Sequence, residues 1–142
     1  MLFRSLLALL GISVRYIKTP AEALQVVDSL VDEPGHFGLD VETAKLAPYA
    51  YHDQAGLNPH LSRPRLVQVY PGGSEVFVFD LFAVPPPVLR PLLEKQFVAH
   101  NAIFDLGHLM HAGLEPGGIE CTMLSRPTLS RGSDRQIGRA HV

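Results

Sequence analysis

Between Phe37 and Glu42 the chain alternates without a break: Phe37, Leu39 and Val41 are apolar, and Gly38, Asp40 and Glu42 are not. Period-two patterning of this kind belongs to a β-strand with one face in the core. Both carboxylates then leave the opposite face, roughly 6 to 7 Å apart along the strand from its rise per residue. They repel one another unless a cation joins them.

The segments on either side fix the class of sheet. Val14–Lys18 reads as a short strand, and Thr19-Pro-Ala-Glu22 supplies an N-cap, a proline at the first helical position and a reciprocal glutamate. A helix follows to Val31, with Leu24, Val27, Leu30 and Val31 at helical spacing, and stops at Asp32–Gly35. Residues 44–63 carry no strong period and read as a long loop or wide strand connection, the kind that is often functional. Arg65–Tyr70 and Glu75–Asp80 flank Pro71-Gly-Gly-Ser74 as a β-hairpin. The spacing then predicts a short helix over Val88–Lys95, bent in its first turn by Pro91. A buried strand at Phe97–Ala99 comes next, then a helix over Ala102–Ala112 capped by Asn101 and stopped at Gly113. A strand at Ile119–Cys121 and a helix from about Thr122 complete the order. A three-stranded antiparallel meander followed by crossovers gives an α/β sheet of mixed direction. Ligands of such sheets sit outside the carboxyl ends of the parallel strands, here Asp40-Val-Glu42 and His100–Asp105.

Composition narrows the rest. With 142 residues the chain has room for one domain and not two, and 46% apolar residues supply a real core. Cys121 is the single cysteine, which forbids an internal disulfide framework or a multi-cysteine zinc site and fits a cytoplasmic setting. The formal charge of −2 shows no basic excess, so a nucleic acid would need a local device such as a metal ion. The apolar run Leu6–Ile12 is too short to span a bilayer and lacks a cleavage site. Leu2–Ser5 and Ile137–Val142 read as translated sequencing-library adapter. The expected organisation is a non-native or disordered leader over 1–13, a partial catalytic domain over 14–130 and a read-through tail over 131–142. Without residues 1–5 and 137–142, 131 residues remain with a net charge of −4.

Asp105 falls in the first turn of a helix that leaves a strand parallel to that of Asp40 and Glu42, where the helix dipole favours an anion. Taken singly, these are ordinary carboxylates on a strand's solvent face and at a helix start. Taken together, three would converge on one rim, an all-oxygen set suited to Mg2+ or Mn2+. Two such ions can activate water and stabilise the leaving oxygen of a phosphodiester displacement.

Gly38-Leu-Asp-Val-Glu-Thr43, Arg65-Leu-Val-Gln-Val69, Val78-Phe-Asp-Leu81 and Val98–Asp105 with Leu109 resemble the first and second motifs of the DEDD 3′–5′ exonuclease superfamily. The nearest likeness is to the proofreading domain of family A, DNA polymerase I-like enzymes, with ribonuclease D a cousin. It spans about Tyr16 to Leu129. The resemblance implies an RNase H-like fold and two-metal-ion hydrolysis at the 3′ end of DNA, with Asp40, Glu42 and Asp105 as metal-binding catalytic residues. Asn101 and Thr43 are the implied contacts to the terminal nucleotide. The alternatives are ribonuclease D-like trimming of RNA 3′ ends and a non-catalytic nucleic-acid-binding module. The family's third motif, a Tyr or His followed by a fourth metal-binding Asp, has no counterpart after Cys121–Leu124, and Asp134 does not lie in that pattern. The 142-residue chain is therefore expected to show weak or no activity.

The remaining chemistry-bearing side chains have plainer readings. His108 and His111, three apart on a helix, and His100 do not make a zinc finger without a nearby cysteine. Arg63 and Arg65 fit solvated charges or a phosphate contact, and Tyr49 and Tyr51 in the long loop fit base stacking. Phe77, Phe79 and Cys121 read as core, and Gly72-Gly73 is a turn without the lysine of a phosphate-binding loop.

Overall fold

The computed structural model describes residue 6, residues 8–123 and residues 139–140. Its strands are β1 Ser13–Ile17, β2 Phe37–Lys45, β3 Ser62–Tyr70, β4 Glu75–Asp80, β5 Gln96–Ala99, β6 Gly118–Cys121 and β7 Arg139–Ala140. They make one sheet in the order β1-β4-β3-β2-β5-β6-β7, flanked by α1 Pro20–Val31, α2 Arg90–Leu93 and α3 Ala102–His111. The expected meander is present as β2, β3 and β4, each antiparallel to the next. β5 lies parallel to β2, and β6 parallel to β5. The N-terminal strand joins the far edge, parallel to β4. Thus β1, β2, β4, β5 and β6 all point one way, and their carboxyl ends share a rim with the start of β3.

One face of the sheet carries the main core, in which Phe37 and Phe97 meet edge to face at 6.3 Å beside Val41, Val67, Phe79 and Leu109. The opposite face holds a smaller cluster, Val76 and Val78 packed by Ile12, Val14, Leu66 and Tyr70. β4 is therefore buried on both sides, which its run of Val-Phe-Val-Phe permits. Phe77, Phe79 and Cys121 are buried as expected.

Local chemistry sets the ends of the elements. Thr19 caps α1, its Oγ1 accepting from the Glu22 amide at 3.3 Å. The reciprocal half of the capping box is replaced by an ion pair, Glu22 taking Arg15 Nε at 3.0 Å. Lys95 reaches across from the end of α2 and donates to Val31 O, a carbonyl that α1 leaves free at its C-terminus, and to Glu33 O just beyond the helix. Gly113, at φ 81°, stops α3 in the left-handed conformation, and Leu114 N returns to Leu109 O at 2.9 Å.

Several boundaries differ from the sequence expectations. β2 and β3 run further than expected, so only residues 46–61 connect them, through two 3-10 turns, Ala47–Tyr49 and Ala55–Leu57. β3 admits Pro64 because a bulge between Glu42 and Thr43 leaves Arg65 as the extra residue of the ladder. The expected helix over 88–95 is a 3-10 turn Pro86–Leu89 followed by a single α-turn, with Pro91 at its start where a missing N–H is harmless. Asn101 precedes α3 but does not cap it: its backbone is left-handed, φ 58° and ψ 54°, and its side chain makes no cap bond. Thr122 and Met123 form a turn, and any helix after them lies outside the described residues. Arg139 and Ala140, within the expected tail, pair with Glu120 and Ile119 on the open edge of β6. Among the described residues no helix is long and apolar enough to cross a membrane.

Candidate active site

β2 extends past the last residue at which β5 pairs with it: the ladder between them holds only Phe37 with Phe97 and Gly38 with Val98. Beyond Gly38 that edge of β2 is not paired with β5. α3 starts just after β5 and lowers Asp105 onto this edge, where Asp105 Oδ1 accepts from Val41 N at 2.9 Å. The bond is buried, and Asp105 is only 1% exposed. A carboxylate from one segment thus lands between Asp40 and Glu42 of another.

Asp40 and Glu42 project from the opposite side of the strand to Leu39 and Val41 and are exposed. Across the ladder Asp40 faces Gln68 of β3. The Gln68 amide donates to Glu42 Oε1 at 3.1 Å and to Asp40 Oδ2 at 3.4 Å, holding the two carboxylates side by side. Sequence reasoning did not single out Gln68. The signal was present in the alternation of Leu66, Gln68 and Tyr70 opposite Val67 and Val69.

The electrostatics are those of a negative cluster short of positive charge. Burial raises the Asp105 carboxyl to about 7; the Val41 amide and its own amide pull it down, and the charge of Asp40 pushes it up further. Asp40 is also raised, first by partial burial and then by Glu42. Among the described residues no Lys, Arg or His side chain pairs with Asp40, Glu42 or Asp105. Nor do three or more His, Cys, Asp or Glu side chains there stand close enough together to enclose a metal ion. The donor set itself, oxygen only and undercompensated, fits a hard divalent cation.

The two residues expected to touch a nucleotide are placed differently from one another. Thr43 Oγ1 donates to Gly56 O at 2.7 Å, so its hydroxyl fastens the 46–61 connection to β2. Asn101 is exposed at the carboxyl end of β5. His108 is buried, its Nδ1 against Phe104 O at 2.9 Å and its Nε2 against Ser62 Oγ at 3.1 Å. Ser62 in turn donates to Asn58 O at 2.8 Å, and His60 stacks edge-on to His111 at 4.7 Å. These contacts pin the connection to the helix that bears Asp105. His100 meets Thr122 Oγ1 through Nδ1 at 3.0 Å. Tyr51 is fully exposed and Tyr49 partly so. A groove of about 400 Å³ runs from Asp40 and Gln68 past Gly38 and Tyr70 to Ile12, Val76 and Val98.

Comparison with known proteins adds the following. Residues 14–138 match the family described as 3′–5′ exonuclease. No curated protein sequence matches the chain. Similar solved structures include Trypanosoma brucei RNase D in complex with RNA U12, at a TM-score of 0.64 and 21% identity over 85% of this chain and 41% of that one. Brucella melitensis NrnC with bound Mg2+ superposes at 0.50 with 24% identity, covering 80% and 50% of the respective chains. The EXD2 exonuclease domain superposes at 0.51 with 18% identity, covering 71% and 52%. The shared fold is the RNase H-like mixed sheet with flanking helices. The chain spans about two fifths to a half of the length of these structures.

Proposed function

The chain belongs to the 3′–5′ exonuclease family, and from that premise we propose that Asp40, Glu42 and Asp105 are the catalytic carboxylates of a metal-dependent nuclease acting at the 3′ end of DNA. The observation that carries this reading is the bond from Val41 N to Asp105, which sets a helix-borne carboxylate between two strand-borne ones. Asp40, Glu42 and Asp105 would hold divalent ions, Mg2+ or Mn2+ and two in number; the bound Mg2+ of the Brucella NrnC structure supports a divalent ion, and the count rests on the phosphodiester chemistry. Such ions supply an activated water and stabilise the departing oxygen of the phosphodiester.

The chain's own residues do the rest. Gln68 orients Asp40 and Glu42 through its amide, holding the two carboxylates side by side. Asp105, fixed by Val41 N, keeps one oxygen committed to the backbone and offers the other. Thr43 holds the 46–61 connection beside the terminal nucleotide, and Asn101 presents an uncommitted amide at the same rim. The reaction releases nucleotides one at a time from the 3′ terminus. A second reading, removal of nucleotides from RNA, is favoured by the RNA bound to the Trypanosoma RNase D structure.

Purified chain incubated with 5′-labelled DNA and RNA strands in Mg2+ tests both. A slow ladder of 3′-shortened products is expected, abolished by EDTA and by Asp40→Asn. The strand that is shortened identifies the sugar. A ladder that persists undiminished in Asp40→Asn overturns the assignment, and strand binding without any ladder leaves the non-catalytic binding module as the function.

A further inference from the structure

Two arginines near the carboxylates share one aromatic ring. Arg63 Cζ lies 4.1 Å and Arg65 Cζ 4.7 Å from the centroid of Phe82. The bulge at Arg65 makes this possible. In β3, Ser62, Pro64, Val67 and Val69 are buried and Arg63 and Arg65 exposed, so the extra residue shifts the alternation by one. Arg63 and Arg65 therefore stand on the side that also carries Leu66 and Gln68, the side of Asp40 and Glu42. Phe82 follows the carboxyl end of β4, held there by its own amide on Asp80 Oδ1 at 2.9 Å, and Leu81 N bonds Arg65 O at 2.7 Å. Glu42 is paired with Leu66, next in sequence to Arg65. The arginines are thus one strand away from the carboxylates on the same rim.

Their state is unusual for surface arginines. Two like charges are gathered on one ring, and among the described residues neither has a carboxylate within ion-pair reach; Asp80 is turned to the Phe82 amide. Guanidinium stacking on an aromatic face keeps the planar fork fixed with its donors outward. Fixed forks with unspent donors match phosphate oxygens. Phe82 is 46% exposed, so the ring is open to a base or sugar beside them.

We infer that Arg63, Arg65 and Phe82 form a platform for the sugar–phosphate backbone of the single strand whose 3′ end reaches Asp40, Glu42 and Asp105. The inference rests on the nuclease reading for the identity of the strand, and on charge complementarity for the site. It also answers how a chain with a net charge of −2 holds a polyanion: the positive charge is local.

The test is fluorescence anisotropy of a labelled single-stranded DNA and its RNA counterpart, without divalent ion, across a salt series. Loss of two phosphate contacts in Arg63→Gln/Arg65→Gln should lower the slope of log affinity against log salt by about 1.4. Phe82→Leu should weaken binding a few-fold at unchanged slope, since the charges remain. Arg90→Gln, an exposed arginine of α2, should leave slope and affinity as they are. A double variant with the wild-type slope overturns the platform. Cleavage is read separately, so a wild-type chain that binds and shortens strands while the double variant keeps its slope sinks this inference alone. A wild-type chain that binds neither strand sinks both.

Discussion

Asp105 shows how one residue links folding to function. It supplies the hydrogen bond that Val41 N lacks beyond the end of β5, yet its charge is held out of water with Asp40 beside it. An acid whose folded-state pKa is raised from 3.8 to about 7 makes the native state bind more protons than the unfolded chain between those values. That stabilisation is fully present below about pH 4 and is lost as pH rises through 7. Without divalent cation, wild-type stability should therefore fall across this window, by at most about 4 kcal/mol for a rise from 3.8 to about 7. Asp105→Asn keeps an acceptor for Val41 N without the charge, so the fall should disappear and the variant should melt at or above wild type at pH 8. Asp105→Ala leaves the amide unpaired and should cost about 1 to 3 kcal/mol even at pH 5. Urea melts at the two pH values check both, and a pH-dependent Asp105→Asn matching wild type would show that another group is responsible. The place of Asp105 in the first turn of a helix was legible in the sequence. Its bond to Val41 was not, because that depends on where β5 stops pairing, a property of register and not of local pattern.

Elements were legible where periodicity was strong and blurred where packing decided. The alternation of β2 and the Thr19-Pro-Ala-Glu22 signal stood out, and both elements formed. Pro64 and the weak period of 44–63 hid the far ends of β2 and β3, since a bulge that excuses a proline leaves no mark in sequence. The Val88–Lys95 segment reads as one helix by composition, yet it must turn quickly into β5, and only one α-turn fits after the 3-10 turn. Its other constraint is Gly117, which approaches the end of α2 closely: a Cβ there would lie 2.9 Å from Glu94 O, while Gly117 N bonds Leu93 O at 2.8 Å. Backbone on both sides of that contact cannot give way cheaply. At the neighbouring Gly118 a Cβ would meet only the side chain of Gln96, which is exposed and free to swing. Gly117→Ala should lower stability by about 1 to 3 kcal/mol and Gly118→Ala by less than about 1. Denaturant midpoints compare them directly, and equal costs would mean that the α2–β6 contact is looser than its geometry.

At the scale of the molecule, the sheet gathers opposite charges at one rim while the chain as a whole stays nearly neutral. Five strands end there in one direction, and β3 begins there, so Asp105 reaches the strand of Asp40 and Glu42, one strand away from Arg63 and Arg65, although 65 residues separate Asp40 from Asp105. The order of strands and helices was readable from the sequence. The amide of Gln68 between Asp40 and Glu42 was not, because cross-strand pairing required the register. That amide is a partial substitute for a cation: it satisfies two oxygens and neutralises no charge. A divalent ion binding to the native rim and not to the unfolded chain must stabilise the fold by mass action. At pH 8, with Asp105 ionised, Mg2+ at a hundredfold its dissociation constant should add about 2.7 kcal/mol, on the order of 5 to 10 °C in Tm for a chain of this length. The gain should shrink as pH falls through about 7 and Asp105 takes up its proton, and it should reverse on chelation. Sodium chloride at matched ionic strength screens the same repulsion without coordinating, so it separates binding from screening. Asp40→Asn and Asp105→Asn each remove a ligand and should flatten the Mg2+ response while leaving the sodium response small. A Tm that climbs equally with Mg2+ in wild type and in both variants would place the ion elsewhere and remove these carboxylates from the reaction.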